Sequence, residues 1–320
     1  MKAIRVLEFG DPSVLQLTDV PDLVAANDEV LVRVKAVGVN PVETYIRSGA
    51  YGNMVTPPYI PGSDAAGIVE AVGANVTEYS IGDRVYSDHS VKGAYAEFLT
   101  AKTHQLHPLP DNISFAQGAA IGVPYATAHR ALLGKADAKS GDYVLVHGAS
   151  GGVGTAAVQI ALQHAMKVIA TAGTPESRAK LEAMGAQYVL DHHDDDHFDD
   201  ALGATCGHGV DVILEMLANV NLSRDLKILA KNGRVVVIGS RGEVTIDPRD
   251  TMGRDAQIIG MTLFNTPDDE LMHIHHELVE GLTSGELVPV VGIEYSLSEA
   301  AKAHEAVMQN GGFGKIVLVP

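Results

Sequence analysis

The sequence predicts an α/β protein of two domains, one β-rich and the other a doubly wound parallel sheet. Three observations carry that prediction. The chain has 320 residues, beyond the roughly 250–300 at which one hydrophobic core stops growing. Its first third sets β-branched runs between glycines, and from about Gly122 strand and helix patterns alternate.

In chain order, residues 4–8 and 29–37 read as strands, because β-branched residues cluster between turn signals such as Gly10-Asp11-Pro12 and Asn27-Asp28. Glycines at 62, 67, 73 and 82, with strand-like 67–72 and 84–86 among them, predict a tightly turning barrel. Residues 127–133 then read as helix, 143–146 as a buried strand, 155–164 as helix, 167–171 as strand and 176–184 as helix. Further strands are expected at 188–190, 210–215, 234–238 and 258–260. This βαβ alternation implies a parallel sheet covered on both faces, a Rossmann-type domain. After a helix near 298–309, residues 316–319 return to strand character and are expected to rejoin the first domain.

The turn after strand 143–146 reads Gly148-Ala149-Ser150-Gly151-Gly152-Val153-Gly154. Glycines between a buried strand and a helix let backbone N–H groups approach a pyrophosphate at the helix's positive end. The spacing departs from strict G-x-G-x-x-G, so it is the strand–turn–helix context that favours a dinucleotide over a merely tight turn. An NAD-specific fold carries Asp or Glu at the end of the second strand for the ribose hydroxyls. Here that place reads Thr171-Ala172-Gly173-Thr174, which leaves room for a 2′-phosphate and favours NADPH. Arg178, Lys180 and His192 could meet that phosphate, and read as ordinary solvated residues they would do nothing for it. Glu176 nearby is an unhelpful charge.

Composition narrows the function classes. The formal charge is −17, with 40 acidic against 23 basic residues, which repels polyanions and argues against RNA as the main partner. No apolar run approaches the roughly 20 residues that span a bilayer, and the N-terminus lacks a signal-peptide pattern, so a cytoplasmic location is expected. Cys206 is the only cysteine. It excludes an intramolecular disulfide and any multi-cysteine zinc site.

The chain resembles the medium-chain dehydrogenase/reductase superfamily and, within it, the zeta-crystallin type of NADPH:quinone reductase. The resemblance is carried by Gly38-Val39-Asn40-Pro41-Val42-Glu43-Thr44-Tyr45-Ile46-Arg47-Ser48-Gly49, by Pro61-Gly62-Ser63-Asp64 with Gly82-Asp83-Arg84-Val85, and by the glycine turn. Two later stretches are more particular, Glu215-Met216-Leu217-Ala218-Asn219-Val220-Asn221-Leu222-Ser223 and Ile246-Asp247-Pro248-Arg249-Asp250-Thr251-Met252. It implies a GroES-like catalytic domain from residues 1–122 and 265–320, a Rossmann NADPH-binding domain over 123–264, an active cleft where they meet, and a homo-oligomer, dimer or tetramer. By matching position it implies an NADPH site of Tyr45, Ser150, Gly151, Gly152, Val153, Gly173, His192, Asn221, Ile238, Gly239, Ser240 and Arg241, with Met261, Thr262 and Leu263 over the nicotinamide. Other branches carry lysine at the position of Ser177 and tyrosine at that of His192, so phosphate recognition must follow the zeta-crystallin variant.

Zinc alcohol dehydrogenases of this superfamily place a zinc-binding histidine after the glycine of a Gly-His-Glu stretch. Here the stretch is Gly62-Ser63-Asp64, and the lone cysteine lies in the other domain, so no tetrahedral zinc site is expected. Without a Lewis acid the acceptor must itself be electrophilic. A quinone fits, taking hydride or single electrons from NADPH, and an alkenal or enone reductase differs from it only in pocket shape. Asn40 and Tyr45 are the candidate donors to the developing oxyanion or the nicotinamide ribose, and Tyr125 the candidate pocket wall; both tyrosines also read as packing residues. Other readings are an RNA-binding or structural crystallin-like role, and an NADPH-binding module without turnover. Asp64 is expected to brace the domain junction or form a structural ion pair. The acidic, histidine-bearing run 191–200 reads as a solvated loop, and His273, His275 and His276 as surface residues.

Overall fold

The computed structural model describes residues 1–89, 92–309 and 311–320. The chain divides into two compact units, residues 1–123 with 275–320 and residues 124–274. The sequence reading ends the middle domain at 264, and the structure carries the middle unit ten residues further, into the helix Asp268–Ser284.

The first unit is organised around the long strand Glu29–Val39. Its side chains alternate in burial and then become continuously buried over its last four residues, the pattern of a strand covered on one face and then on both. One edge pairs antiparallel with Ala65–Val72. The other is shared by Phe98–Lys102, opposite residues 29–33, and the terminal strand Lys315–Val319, opposite residues 37–39. The tail therefore rejoins this unit as expected. Val291–Ser296 extends the sheet on the far side of Lys315–Val319, while Arg84–Ser87 and Leu106–Pro108 extend it beyond Ala65–Val72. Val30, Val32, Val34, Val69, Leu99 and Leu318 pack together in the core beneath it.

Gly38 shows why the motif Gly38-Val39-Asn40 begins with glycine. A Cβ there would lie 2.1 Å from the carbonyl oxygen of Ala119 and 2.8 Å from Cε of Lys315. Only a bare backbone admits the lysine stem.

The second unit holds a six-stranded sheet in which every pairing is parallel. In space the strands run Tyr188–Leu190, Lys167–Thr171, Tyr143–Val146, Val210–Glu215, Leu229–Val237 and Gln257–Gly260. Numbered within the unit this is order 3-2-1-4-5-6, the doubly wound dinucleotide-binding arrangement. Val144, Leu145, Val146, Val212, Ile213 and Leu214 are all at most 1% exposed, as strands covered by helices on both faces require. The expected helix at 127–133 begins earlier, at Gly122, and continues past His129 as a π-helical segment, Arg130–Lys135.

Two expectations about histidines are corrected. His275, read as a surface residue, is 0% exposed, because it lies on the inner face of its helix, stacked on His107 and 3.0 Å from the Tyr86 hydroxyl. The run 191–200 is not wholly a solvated loop. The helix His197–Ala204 starts within it, and His197 is buried against Phe198 with Nδ1 at the carbonyl of Asp194.

Candidate functional site

The glycine turn joins the strand Tyr143–Val146 to the helix Gly152–Gln163. That strand and Val210–Glu215 are neighbours, and between them the strand order reverses. Ligands of open α/β sheets bind at such switch points, outside the carboxyl ends of the strands. Gly148 has φ +58°, a backbone region costly for residues with a side chain. A Cβ on Gly154 would lie 2.4 Å from Gly148 O, so that glycine lets the helix start tight against the turn. No side chain caps the helix, which leaves its first N–H groups to an anion. Ser150, Gly151, Gly152 and Val153 are each half-buried along this edge.

Beneath the turn sits a charged cluster that the sequence reading did not single out. His147 Nε2 lies 2.8 Å from Asp225 Oδ1 and 3.6 Å from Glu215 Oε2, all three side chains being buried. Glu215 Oε1 accepts the Leu217 N–H and, at 3.3 Å, an Asn221 amide hydrogen. Burial pushes the Glu215 carboxyl up to about 8. Burial also works against the charged form of His147, but the Asp225 carboxylate outweighs it and raises the imidazole above its ordinary value. The cluster thus fixes Asn221 and the ends of both strands flanking the switch point.

At the end of the second strand, Gly173 faces the ring tips of the exposed His192 and His193, whose Nε2 atoms would each lie 2.7 Å from a Cβ there. Thr174 caps the next helix by accepting the Ser177 N–H. Arg178 is not a free cation: it pairs with Asp191 at 2.7 Å. Lys180 pairs with Glu176 one turn away at 2.6 Å. His192 is exposed, and burial of part of its ring pulls its pKa down.

Ile238, Gly239, Ser240 and Arg241 follow the fifth strand. Gly239 passes Met216 so closely that a Cβ would lie 2.4 Å from its carbonyl oxygen, and the Arg241 N–H donates to Asn219 Oδ1 at 2.9 Å. Met261, Thr262 and Leu263 are half-buried. They are held by Arg130, 3% exposed, which donates to Thr262 O at 2.8 Å and pairs with Glu270 at 2.8 Å. Its one signal in sequence is a charge inside an otherwise apolar run. Tyr125 is 1% exposed, which is the packed position and not an open pocket wall; burial raises its pKa, with Gln159 beside its hydroxyl.

In the first unit, Asn40 caps the helix Pro41–Arg47. Its amide nitrogen donates to Asp64 Oδ2 at 2.9 Å and to Glu43 Oε1 at 3.3 Å, and its oxygen accepts from Lys315 Nζ. Both its amide nitrogen and its oxygen are thus engaged within the protein. Asp64 carries a buried ion pair with Lys315 at 2.8 Å and accepts the Val123 N–H at 2.8 Å, which answers for it in favour of a structural pair. Glu43 Oε2 accepts the Tyr95 hydroxyl at 2.6 Å. Tyr45 is half-buried and stacked on Tyr51 with centroids 6.1 Å apart, so of the two expected tyrosines it is the less buried. A cavity of about 520 Å³ beside Glu43 and Ser63 is walled by Ile46, Val55 and Pro58 and carries Arg5 and Lys92.

The chain is 47% identical to the quinone oxidoreductase of Homo sapiens across its whole length and 98% of that protein. The chain belongs to the quinone oxidoreductase family. Two broader families agree, the alcohol dehydrogenase GroES-like domain over residues 26–111 and the zinc-binding dehydrogenase family over residues 152–277, both of the medium-chain dehydrogenase/reductase superfamily. Among solved structures, a quinone oxidoreductase of Escherichia coli complexed with NADPH superposes with TM-score 0.87 at 30% identity, covering both chains completely. An NAD-dependent alcohol dehydrogenase superposes with TM-score 0.93 at 28% identity, also over both whole chains. The zinc that one family description names does not fit the segment Gly62-Ser63-Asp64. The Lys315 ammonium already neutralises Asp64 and bonds the Asn40 oxygen, and zinc's preferred sulfur and imidazole donors are replaced by serine and asparagine.

Proposed function

We propose that this chain is an NADPH:quinone oxidoreductase that works without zinc. The observation that carries the reading is the Lys315–Asp64–Asn40 cluster, a fixed ammonium at the segment where zinc members of the superfamily hold their metal. With no Lewis acid to activate an alcohol, the acceptor has to be electrophilic already, as a quinone is. Membership of the quinone oxidoreductase family supports the same acceptor.

Bound NADPH supplies the hydride. The chain's own residues bind, orient and stabilise. Ser150, Gly151, Gly152 and Val153 line the pyrophosphate place, which the N–H groups of Ser150, Gly152 and Val153 hold while that of Gly151 closes the turn on Gly148 O. Gly173 and Thr174 leave space for the 2′-phosphate, toward which Arg178 and Arg241 offer charge, Arg178 by sharing itself with Asp191, and His192 offers a ring N–H. Asn221 and Ile238 to Arg241 position the ribose and nicotinamide, with Met261 to Leu263 steadied by Arg130. Tyr45 donates to the oxygen that gains negative charge, and Arg5 and Lys92 favour an acceptor that becomes anionic, in a chain whose net charge is −17. The unit of residues 1–123 and 275–320 serves as the catalytic domain and that of residues 124–274 as the cofactor domain. We read the protein as a cytoplasmic homo-oligomer. No helix among the described residues is long and apolar enough to cross a membrane.

The test is NADPH consumption with 9,10-phenanthrenequinone and, separately, with an alkenal. Turnover with the quinone at least tenfold above that with the alkenal is expected. Turnover with the alkenal alone would replace this reading by an enone reductase.

A further inference from the structure

The cavity of about 520 Å³ in the first unit falls in the size range of small-molecule sites, roughly 300–1,000 Å³. Its walls are apolar at Ile46, Val55 and Pro58, and the charged side chains that line it are Arg5, Lys92 and Glu43. Strand geometry sends Arg5 there. On either side of it in the strand Lys2–Val6, Ile4 and Val6 are 0% exposed within the core. Successive side chains of a strand take opposite faces, so the Arg5 side chain leaves that core for the cavity. The Val6 N–H donates to Tyr59 O at 2.9 Å and the Tyr59 N–H to Val6 O at 3.1 Å, which sets Arg5 beside the segment 58–60. Lys92 arrives at the same segment from another loop. Its neighbour Gly93, with φ +91°, packs so closely there that a Cβ would lie 1.9 Å from Ile60 O.

Other cations of this unit are neutralised: Lys2, Arg33 and Lys102 pair with Asp19, Glu70 and Asp28 at 2.7, 2.6 and 2.7 Å. Among the described residues, neither the Arg5 nor the Lys92 side chain has a hydrogen bond or an ion pair. The chain has 40 acidic against 23 basic residues, so carboxylates to pair them are plentiful. Two unpaired cations meeting at one cavity therefore mark a place for an anion from outside. Glu43, the one acid among the described residues of the lining, does not supply it. It is 3% exposed, and its oxygens accept from the Tyr95 hydroxyl at 2.6 Å, the Asn40 N–H at 3.0 Å and the Ser63 N–H at 3.2 Å.

Resting on the quinone reading above, we propose that the acceptor carries an acid group of its own, a carboxylate or sulfonate on its ring system, which Arg5 and Lys92 hold while the apolar wall takes the rings. Arg5 offers a planar fork for two oxygens of that group, and Lys92 adds a mobile point charge. The acid group takes no part in the transfer. The quinone gains a hydride from NADPH and a proton from solvent, and leaves as the hydroquinone with its acid group intact.

The test measures NADPH consumption by the whole protein with 9,10-phenanthrenequinone-2-carboxylate and with its methyl ester, which keeps the rings and removes the charge. A kcat/KM about five- to tenfold higher for the carboxylate is expected, carried by KM. The preference should shrink as salt rises to about 0.5 M. Arg5→Gln combined with Lys92→Gln should bring the ratio of the two substrates to within about twofold of one. Lys92 is exposed, so Lys92→Gln alone gives a folded variant in which the ratio already falls, and Lys92→Arg should preserve it. Lys35→Gln, which removes an exposed charge outside the cavity lining, should leave the ratio as it is. Equal kcat/KM for carboxylate and ester, both being consumed, would overturn this proposal and leave the quinone reading standing. So would a preference that survives the double substitution. Consumption of neither compound would overturn the quinone reading itself, and this proposal with it.

Discussion

A methyl group added at Gly154 would sit 2.4 Å from Gly148 O, whereas one added at Gly151 would sit 3.5 Å from that same atom, an ordinary contact. The two glycines therefore separate folding from binding. Gly151→Ala is expected to keep Tm within a few degrees, since glycine and alanine at a helix N-cap differ by only about 1 kcal/mol, yet to raise the Kd for NADPH at least tenfold by blocking approach to the turn. Fluorescence titration with NADPH beside a thermal melt checks both. Gly154→Ala should lose stability and binding together. Lys315→Met leaves Asp64 charged and buried without its partner, a change that costs about 3–5 kcal/mol. Urea unfolding measures it, and a loss below 1 kcal/mol would show that the cluster does not hold the first unit together.

At the scale of elements, the Glu215–His147–Asp225 cluster gives stability a pH dependence. Glu215 titrates near 8 in the folded chain against 4.5 when unperturbed. Between those values the native state keeps a proton that the unfolded state has released, so stability falls as pH rises through that window. His147, raised above its ordinary value of 6.5, adds in the same direction, its contribution being present below 6.5 and lost as pH climbs through its folded pKa. Glu215→Gln should flatten the decline between pH 5 and 8, read as urea midpoints. An unchanged slope would assign the dependence to other groups. Arg130→Met should free the segment after Gln257–Gly260, raising KM for NADPH severalfold and costing about 1–3 kcal/mol.

The strands at 143–146, 167–171, 188–190 and 210–215 were legible because buried parallel strands read as apolar runs between turn signals. The terminal strand was legible for the same reason. His275 was not, because helical spacing shows which residues share a face but not which face meets the sheet. The bonds that engage Asn40 were not legible, because its partners Asp64 and Lys315 lie 24 and 275 residues away in sequence. Arg178 carried the right charge, and its pairing with Asp191 depended on a turn that periodicity does not describe.

The chain combines a doubly wound sheet, whose glycine turn leads into an uncapped helix at its switch point, with a β-rich unit in which Lys315 pairs with the buried Asp64; the reading proposed above is that this pair takes the place of a metal. The most direct test of that account is single-turnover mixing of the NADPH-loaded protein with 9,10-phenanthrenequinone, following reduced-nicotinamide absorbance with protium or deuterium at each C4 position. The account predicts quinone-dependent bleaching, slowed by deuterium at one C4 position only, and much weaker bleaching when NADH replaces NADPH. Tight NADPH binding with no bleaching on adding the quinone would contradict it.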